Sequence, residues 1–296
     1  MNEAKAHVQS LMLRLHFPVD AQVDLCEAFD AIHASKCGEF TEILRRYEQD
    51  RFCDYRAMLE KTAEIAEACK LHTYTASLLL FLCLSKTLLE RYKSCGLCEE
   101  IYYRSMADLG YKLEECRLVH NINGSFVASW FSGFFAMTRF GLGRLQFEIK
   151  QTEEDIELDG TIVAAGSEYI NVHIPRTGTR LCHQEVLEAY RLAAKHFSNV
   201  FEGKPILFAC KSWLLDPWNL SVLKPDSNLA QFCRDFTVVR SGTYEDYREL
   251  WRLFDCMYTG DATKLPRNSS LRCAYADRVA RGEPIGWGFG MFSYPE

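Results

Sequence analysis

The sequence predicts an α+β protein in two parts: a helical N-terminal domain over residues 1–140, then a mixed β-sheet flanked by helices over residues 141–296. Three observations carry this. Residues 56–71 and 74–94 contain neither Pro nor Gly and repeat apolar side chains at spacings of three and four, the pattern of helices with one buried face. Residues 145–150 and 169–174 alternate polar and apolar with period two, the pattern of strands. Residues 205–213 open with an apolar run that follows an amphipathic segment, so strand, helix and strand succeed one another as in a right-handed parallel crossover.

Taken in order, the segment 74–94 is apolar on nearly all sides before Lys86 and Arg91-Tyr-Lys93, and is expected to be the buried axis of a bundle. The helical pattern breaks at Asn121-Ile-Asn-Gly124 and gives way to an aromatic stretch, 126–140, with Trp130, Phe131, Phe134 and Phe135. In the first strand Gln146, Glu148 and Lys150 face one way and Leu145, Phe147 and Ile149 the other. In the second, Tyr169, Asn171 and His173 share one face, and Ile170, Val172 and Ile174 the other, which reads as a half-buried strand. Val186, Tyr190, Ala193 and Phe197 form one stripe of the following helix, with Glu185, Glu188, Arg191 and Lys195 opposite. Residues 247–254 and 271–281 read as helical, and Trp287-Gly-Phe-Gly-Met-Phe292 as a last strand.

Composition narrows the function. A chain of 296 residues with 48% hydrophobic and 25% charged residues has the usage of an ordinary globular protein. A formal net charge of −6 without a basic cluster argues against a nucleic-acid partner. The longest apolar run, 78–84, is too short for a bilayer, and the N-terminus lacks a signal-peptide core, so a cytoplasmic location without a membrane partner is expected. The 13 cysteines lack a disulfide-framework spacing. Cys95-Gly-Leu-Cys98 offers two ligands of the four a structural zinc needs, so no metal is expected.

The chemistry concentrates in His173-Ile-Pro-Arg-Thr-Gly-Thr-Arg-Leu181, between the second strand and its helix. Pro175 ends the strand, Gly178 permits a tight turn, and Arg176 and Arg180 flank the N–H groups of a helix start, an arrangement suited to a phosphate. It contains neither a Walker loop nor a dinucleotide fingerprint. Cys182 at the helix start reads as a weak substitute for a hydroxyl cap, with His183 pointing elsewhere.

This segment, with Cys210-Lys-Ser-Trp-Leu-Leu-Asp-Pro217, Pro225-Asp-Ser-Asn-Leu-Ala-Gln-Phe232 and Leu265-Pro-Arg-Asn-Ser-Ser-Leu271, resembles the bacterial acyltransferase domain-containing family, in which a helical N-acyltransferase domain precedes a GNAT-like domain. The resemblance implies a GNAT-like mixed sheet, acyl-CoA (acetyl-CoA or longer) as co-substrate, and a small-molecule amine as acceptor. It assigns acyl-CoA binding to Ile174, Arg176, Gly178, Thr179, Arg180 and Leu181. One departure is that Arg180 stands where the usual GNAT pyrophosphate loop has a final Gly or Ala. In that setting the aromatic stretch 126–140 is expected to pack one domain on the other or to line an acyl pocket.

Transfer of an acyl group to an amine by direct attack needs a base, a polarised carbonyl and a donor to the departing thiolate. His173 is the first choice for base and Glu148 the reserve, with Ser212 and Tyr169 as donors. Ser212 shares a strand face with Cys210, and both are expected to look into one cleft. A non-catalytic acyl-CoA sensor and a ligand-free structural oligomer are the rival readings, and the oligomeric state is left open.

Overall fold

The computed structural model describes residues 2–295, in two compact units that divide between Gly141 and Leu142. The first unit is helical: α1 (Asn2–Arg14), α2 (Val19–Ser35), α3 (Cys37–Gln49), α4 (Tyr55–Ala68), α5 (Thr73–Ser94), α6 (Glu99–His120) and the single turn α7 (Ser132–Phe135). Helix α5 is the axis, as its all-round apolar surface requires. Leu78, Leu79, Leu80, Phe81 and Leu82 are consecutive and buried, and α1, α2, α3, α4 and α6 all pack on it. The break after α6 has a local cause. Asn121 takes the left-handed cap conformation, and Gly124 presses on the start of α5, where a Cβ would come within 2.4 Å of the Tyr74 backbone.

The aromatic stretch belongs to the core of this unit. The ring centroids of Phe131 and Phe135 lie 5.0 and 4.9 Å from that of Phe81, and the Tyr47 hydroxyl donates to the Phe135 carbonyl at 2.9 Å. Cys95 and Cys98 are exposed where α5 turns into α6.

Strand β1 (Arg139–Leu142) carries the chain across the boundary. The second unit contains β2 (Leu145–Gln151), the hairpin β3 (Ile156–Leu158) and β4 (Thr161–Val163), β5 (Glu168–His173), α8 (His183–His196) and β6 (Leu207–Ser212). Then come α9 (Asn219–Val222), α10 (Asn228–Arg234), β7 (Thr237–Thr243), α11 (Trp251–Phe254), α12 (Ser270–Ala280) and β8 (Gly286–Ser293). Its strands lie in the order β2-β5-β6-β8-β7, with β5 and β6 parallel and the other neighbours antiparallel.

The stripe of α8 covers one face of this sheet. Tyr190 sits between Phe147, Phe208 and Phe292 at centroid distances of 6.5, 5.2 and 5.1 Å. The β3–β4 hairpin covers part of the other face, where Ile156, Leu158 and Val163 pack with Tyr169, Ala209 and Met291. Strand β5 is therefore covered on both faces rather than one, and its polar side chains must find partners inside the protein.

The last strand shows why glycine alternates in it. A Cβ on Gly286, Gly288 or Gly290 would come within 2.3 Å of Asp216, 2.0 Å of the Leu215 carbonyl or 2.7 Å of Phe236. Strand β7 has no counterpart in the sequence reading. It is an exposed edge strand, so no burial pattern marks it.

Candidate active site

The parallel pair β5 and β6 is joined only from Ile170 to Phe208 and from Asn171 to Ala209. Beyond these residues Val172 and His173 part from Cys210, Lys211 and Ser212, because β6 continues its ladder with β8 alone. The carboxyl ends of two parallel strands are thus left unpaired with each other, the usual place for a ligand in such sheets.

On the side of the sheet away from α8, β2 and β5 bring Glu148, Asn171 and His173 together. In the register Glu148 opposes Asn171, and Gln146 opposes His173. Glu148 Oε1 lies 2.8 Å from His173 Nε2, 3.4 Å from Asn171 Nδ2 and 3.2 Å from Lys150 Nζ. The Asn171 amide nitrogen is also 2.9 Å from His173 Nε2, so three nitrogens crowd one carboxylate oxygen. Glu148 and Asn171 are buried, and the His173 side chain is 19% exposed, so the imidazole forms the accessible edge of the cluster. The role of Nε2 depends on the tautomer: protonated, it donates to the Glu148 carboxylate and leaves the basic lone pair on Nδ1; unprotonated, it accepts from the Asn171 amide. The two residues that the sequence offered as alternatives thus form one histidine–carboxylate pair.

The other predicted donors are not brought to it. Tyr169 shares the face but lies four residues back, about 13 Å along the strand, packed edge-on to Phe289 and under the hairpin. Burial pushes its phenol up, with the charges of Glu153 and Glu148 adding to the effect. Ser212 and Cys210 do share a face, but it is the face toward α8. Cys210 is buried there, its thiol pushed up by burial, and Ser212 Oγ accepts from Leu214 N at 3.1 Å to start the turn Trp213–Leu215. Lys211 points to the His173 side and lies 4.2 Å from the centre of the Trp287 ring, a neighbour that the sequence reading did not include.

The loop 174–182 is built from its own hydroxyls and from Arg144. Thr177 Oγ1 lies 2.8 Å from Thr179 Oγ1 and accepts from Thr179 N at 3.3 Å. The Arg144 guanidinium donates to the carbonyls of Pro175 and Thr179 at 3.1 and 3.5 Å. Ile174 is half-buried and Leu181 buried, and they anchor the two ends of the loop. Gly178 has φ +77 and nothing within 4 Å of a would-be Cβ, so glycine is favoured here for its conformation and not for want of space. Arg180 is exposed. Arg176 reaches Asp255, whose other oxygen accepts from Arg272 Nη2 at 2.5 Å. Two guanidiniums thus share one carboxylate, which leaves an excess positive charge beside the loop.

Cys182 occupies the cap position of α8 but its thiol caps nothing. His183 is held away from it, with Nε2 2.7 Å from Asp235 Oδ1, while the Tyr190 hydroxyl donates to Oδ2 at 3.3 Å. Burial raises Asp235, partly offset by His183. Among the described residues no group of His, Cys, Asp and Glu is placed to hold a metal, and no helix is long and apolar enough to cross a membrane.

Comparison with known proteins places these features. No curated protein matches the chain. Among solved structures, an acyltransferase in complex with decanoyl-CoA and teicoplanin superposes with a TM-score of 0.76 at 22% identity, over 97% of this chain and 88% of that one. A mutant acyltransferase in complex with octanoyl-CoA gives 0.76 at 21% identity over the same shares. At this identity the likeness is one of fold, and it extends through both units. The N-acyltransferase N-terminal domain matches residues 6–137 and the GNAT-like C-terminal domain matches residues 140–292. The chain belongs to the family of acyltransferases that join these two domains.

Proposed function

We propose that the protein transfers an acyl group from acyl-CoA to an amine of a small-molecule acceptor, by direct attack within a ternary complex. The observation that carries this reading is the His173–Glu148 pair at the point where β5 and β6 part. Acyl-CoA as donor is supported by the octanoyl- and decanoyl-CoA complexes of the similar structures, and a small-molecule acceptor by the complex that also holds teicoplanin.

In this reading the pyrophosphate lies on the loop Ile174, Arg176, Gly178, Thr179, Arg180 and Leu181. Several features favour an anion there: the first N–H groups of α8 have no partner within the helix, and the Arg176–Asp255–Arg272 bridge and Arg180 add positive charge. The thioester enters between the unpaired strand ends. The amine nitrogen attacks the thioester carbon and its proton passes to His173 Nδ1, while Glu148 holds Nε2–H and stabilises the imidazolium. The C–S bond then breaks, and the thiolate leaves as CoA and takes up a proton. That proton comes from solvent, since Ser212 faces α8 and Tyr169 lies too far along the strand to serve as the donor.

The test is release of free CoA thiol from acetyl-, octanoyl- and decanoyl-CoA with a panel of amines, with the acylated amine identified by mass spectrometry. Acyl-CoA binding without turnover across the panel would replace this reading with that of a sensor.

A further inference from the structure

Two basic side chains stand on the strand ends that part. Direct pairing of β5 with β6 stops at Asn171 and Ala209, and both strands run on in the same direction. Two residues further along each, side-chain alternation puts His173 of β5 and Lys211 of β6 on the same face, the one turned away from α8. The β3–β4 hairpin packs on Tyr169, Ala209, Leu207 and Phe289 of this face, while His173, Lys211 and Trp287 lie outside that cluster. Lys211 is exposed and Trp287 half-buried.

The lysine is positioned by the sheet. Its Nζ lies 4.2 Å from the centre of the Trp287 ring, a cation–π distance. Trp287 is placed in turn by β7. It pairs with Gly242, where a Cβ would come within 2.8 Å of the indole, so the ring lies over a strand position that glycine keeps open. The charge of Lys211 is not compensated. Glu148, the carboxylate beside His173, is already shared by His173, Asn171 and Lys150, and among the described residues no carboxylate pairs with Lys211.

These features select among ligands. An alkyl chain makes no use of an ammonium group, and a second amine is repelled by it. The donor's phosphates, in the proposed function, lie on the loop 174–182 that leads to α8, and α8 covers the opposite face of the sheet. An anion that meets Lys211 therefore belongs to the acceptor. One lysine offers a single charge, which suits a carboxylate better than a phosphate dianion. We infer that Lys211 sets the acceptor specificity: the protein takes amines that also carry a carboxylate, the nitrogen meeting His173 and the carboxylate meeting Lys211. Paired strands lie about 5 Å apart and these two are parting, so the two groups of the acceptor should be about 5–8 Å apart. The inference rests on the proposed acyl transfer and narrows its acceptor.

The test is the rate of CoA release from octanoyl-CoA with γ-aminobutyrate, p-aminomethylbenzoate and the primary amide of each. Wild type, Lys211→Arg, Lys211→Met and Lys211→Glu are compared, with near-ultraviolet circular dichroism for folding and calorimetry for CoA affinity. Wild type should favour a carboxylate over its amide by about five-fold or more in kcat/KM, and added salt should shrink the preference. Lys211→Arg should keep the preference, Lys211→Met abolish it and Lys211→Glu reverse it, all with the CoA affinity of wild type. A ratio that is the same in wild type and Lys211→Met overturns the inference, as does an equal loss on carboxylate and amide, which would place Lys211 in the transfer step. Weakened CoA binding in Lys211→Met also overturns it, by assigning the lysine to the donor. Wild type that acylates no amine, in this set or in the wider panel, would defeat the acyl-transfer reading itself, and this inference with it.

Discussion

His173 and Glu148 are diagonal neighbours on the antiparallel ladder of β2 and β5, with Nε2 2.8 Å from Oε1, and neither partner is more than one-fifth exposed. A histidine that donates to a buried carboxylate has a fixed tautomer, and this is what separates a base from a strand histidine. In the proposed function the two act as a unit, His173 as base and Glu148 as the group that orients it.

His173→Ala is expected to lower turnover by about 10²–10⁴ with acyl-CoA affinity nearly unchanged, the range of a lost general base. Glu148→Gln should also lower turnover, and the double variant should be little worse than His173→Ala alone. Steady-state kinetics of the three variants, with CoA binding by calorimetry, measure this. Additive losses would mean that the two residues work separately.

Gly178 supplies a second expectation. Because the surroundings of its Cα are open, a side chain meets only the backbone penalty of a positive φ, about 1–2 kcal/mol. Gly178→Ala should therefore fold with a small drop in melting temperature and bind CoA almost as wild type. Gly178→Glu should fold equally well, yet bind CoA about ten-fold or more weakly, because a negative charge then faces the pyrophosphate. Equal CoA affinity in both variants would remove the phosphate from this loop.

The sequence makes β2, β5, α8 and β6 readable because each carries a complete local period, and α5 because nothing polar interrupts it. What it conceals is distributed over distance. The meeting of Glu148 with His173 depends on a register across the hairpin 152–167, and no local pattern states a register. Arg176 finds Asp255 79 residues away, so a residue that looks like a free phosphate ligand in the motif is in fact bridged. Ser212 was misplaced for a simpler reason: the face it shares with Cys210 is the one that α8 covers.

Asp216 illustrates the same limit, since its partners lie far along the chain. In the fold it is buried and accepts from Arg278 Nη1 at 2.7 Å and from the N–H groups of Trp218 and Gly286, both at 3.1 Å. Arg278→Ala leaves a buried carboxylate without its counter-charge and should cost about 3–5 kcal/mol by urea unfolding. Replacing both partners, Asp216→Asn with Arg278→Met, should cost less than Arg278→Ala. A loss below about 1 kcal/mol in Arg278→Ala would show that solvent reaches the pair.

His7 contributes to the pH dependence of the helical unit. It lies on α1 against α5, with Nε2 2.8 Å from Ser85 Oγ. Burial holds its imidazole below the ordinary histidine range; Lys86 adds to this and Glu90 opposes it. Between the lowered folded value and the ordinary unfolded value near 6.5, the unfolded chain binds more protons than the folded one. Stability contributed by neutral His7 is therefore full above that ordinary value and is lost as pH falls through the window below it. His196 on α8, lowered by burial alone, acts in the same direction. His7→Gln can keep a hydrogen bond to Ser85 without a titrating group, so its stability by urea unfolding should fall less between about pH 7.5 and 5.5 than that of wild type. An identical fall in both proteins would locate the acid sensitivity elsewhere.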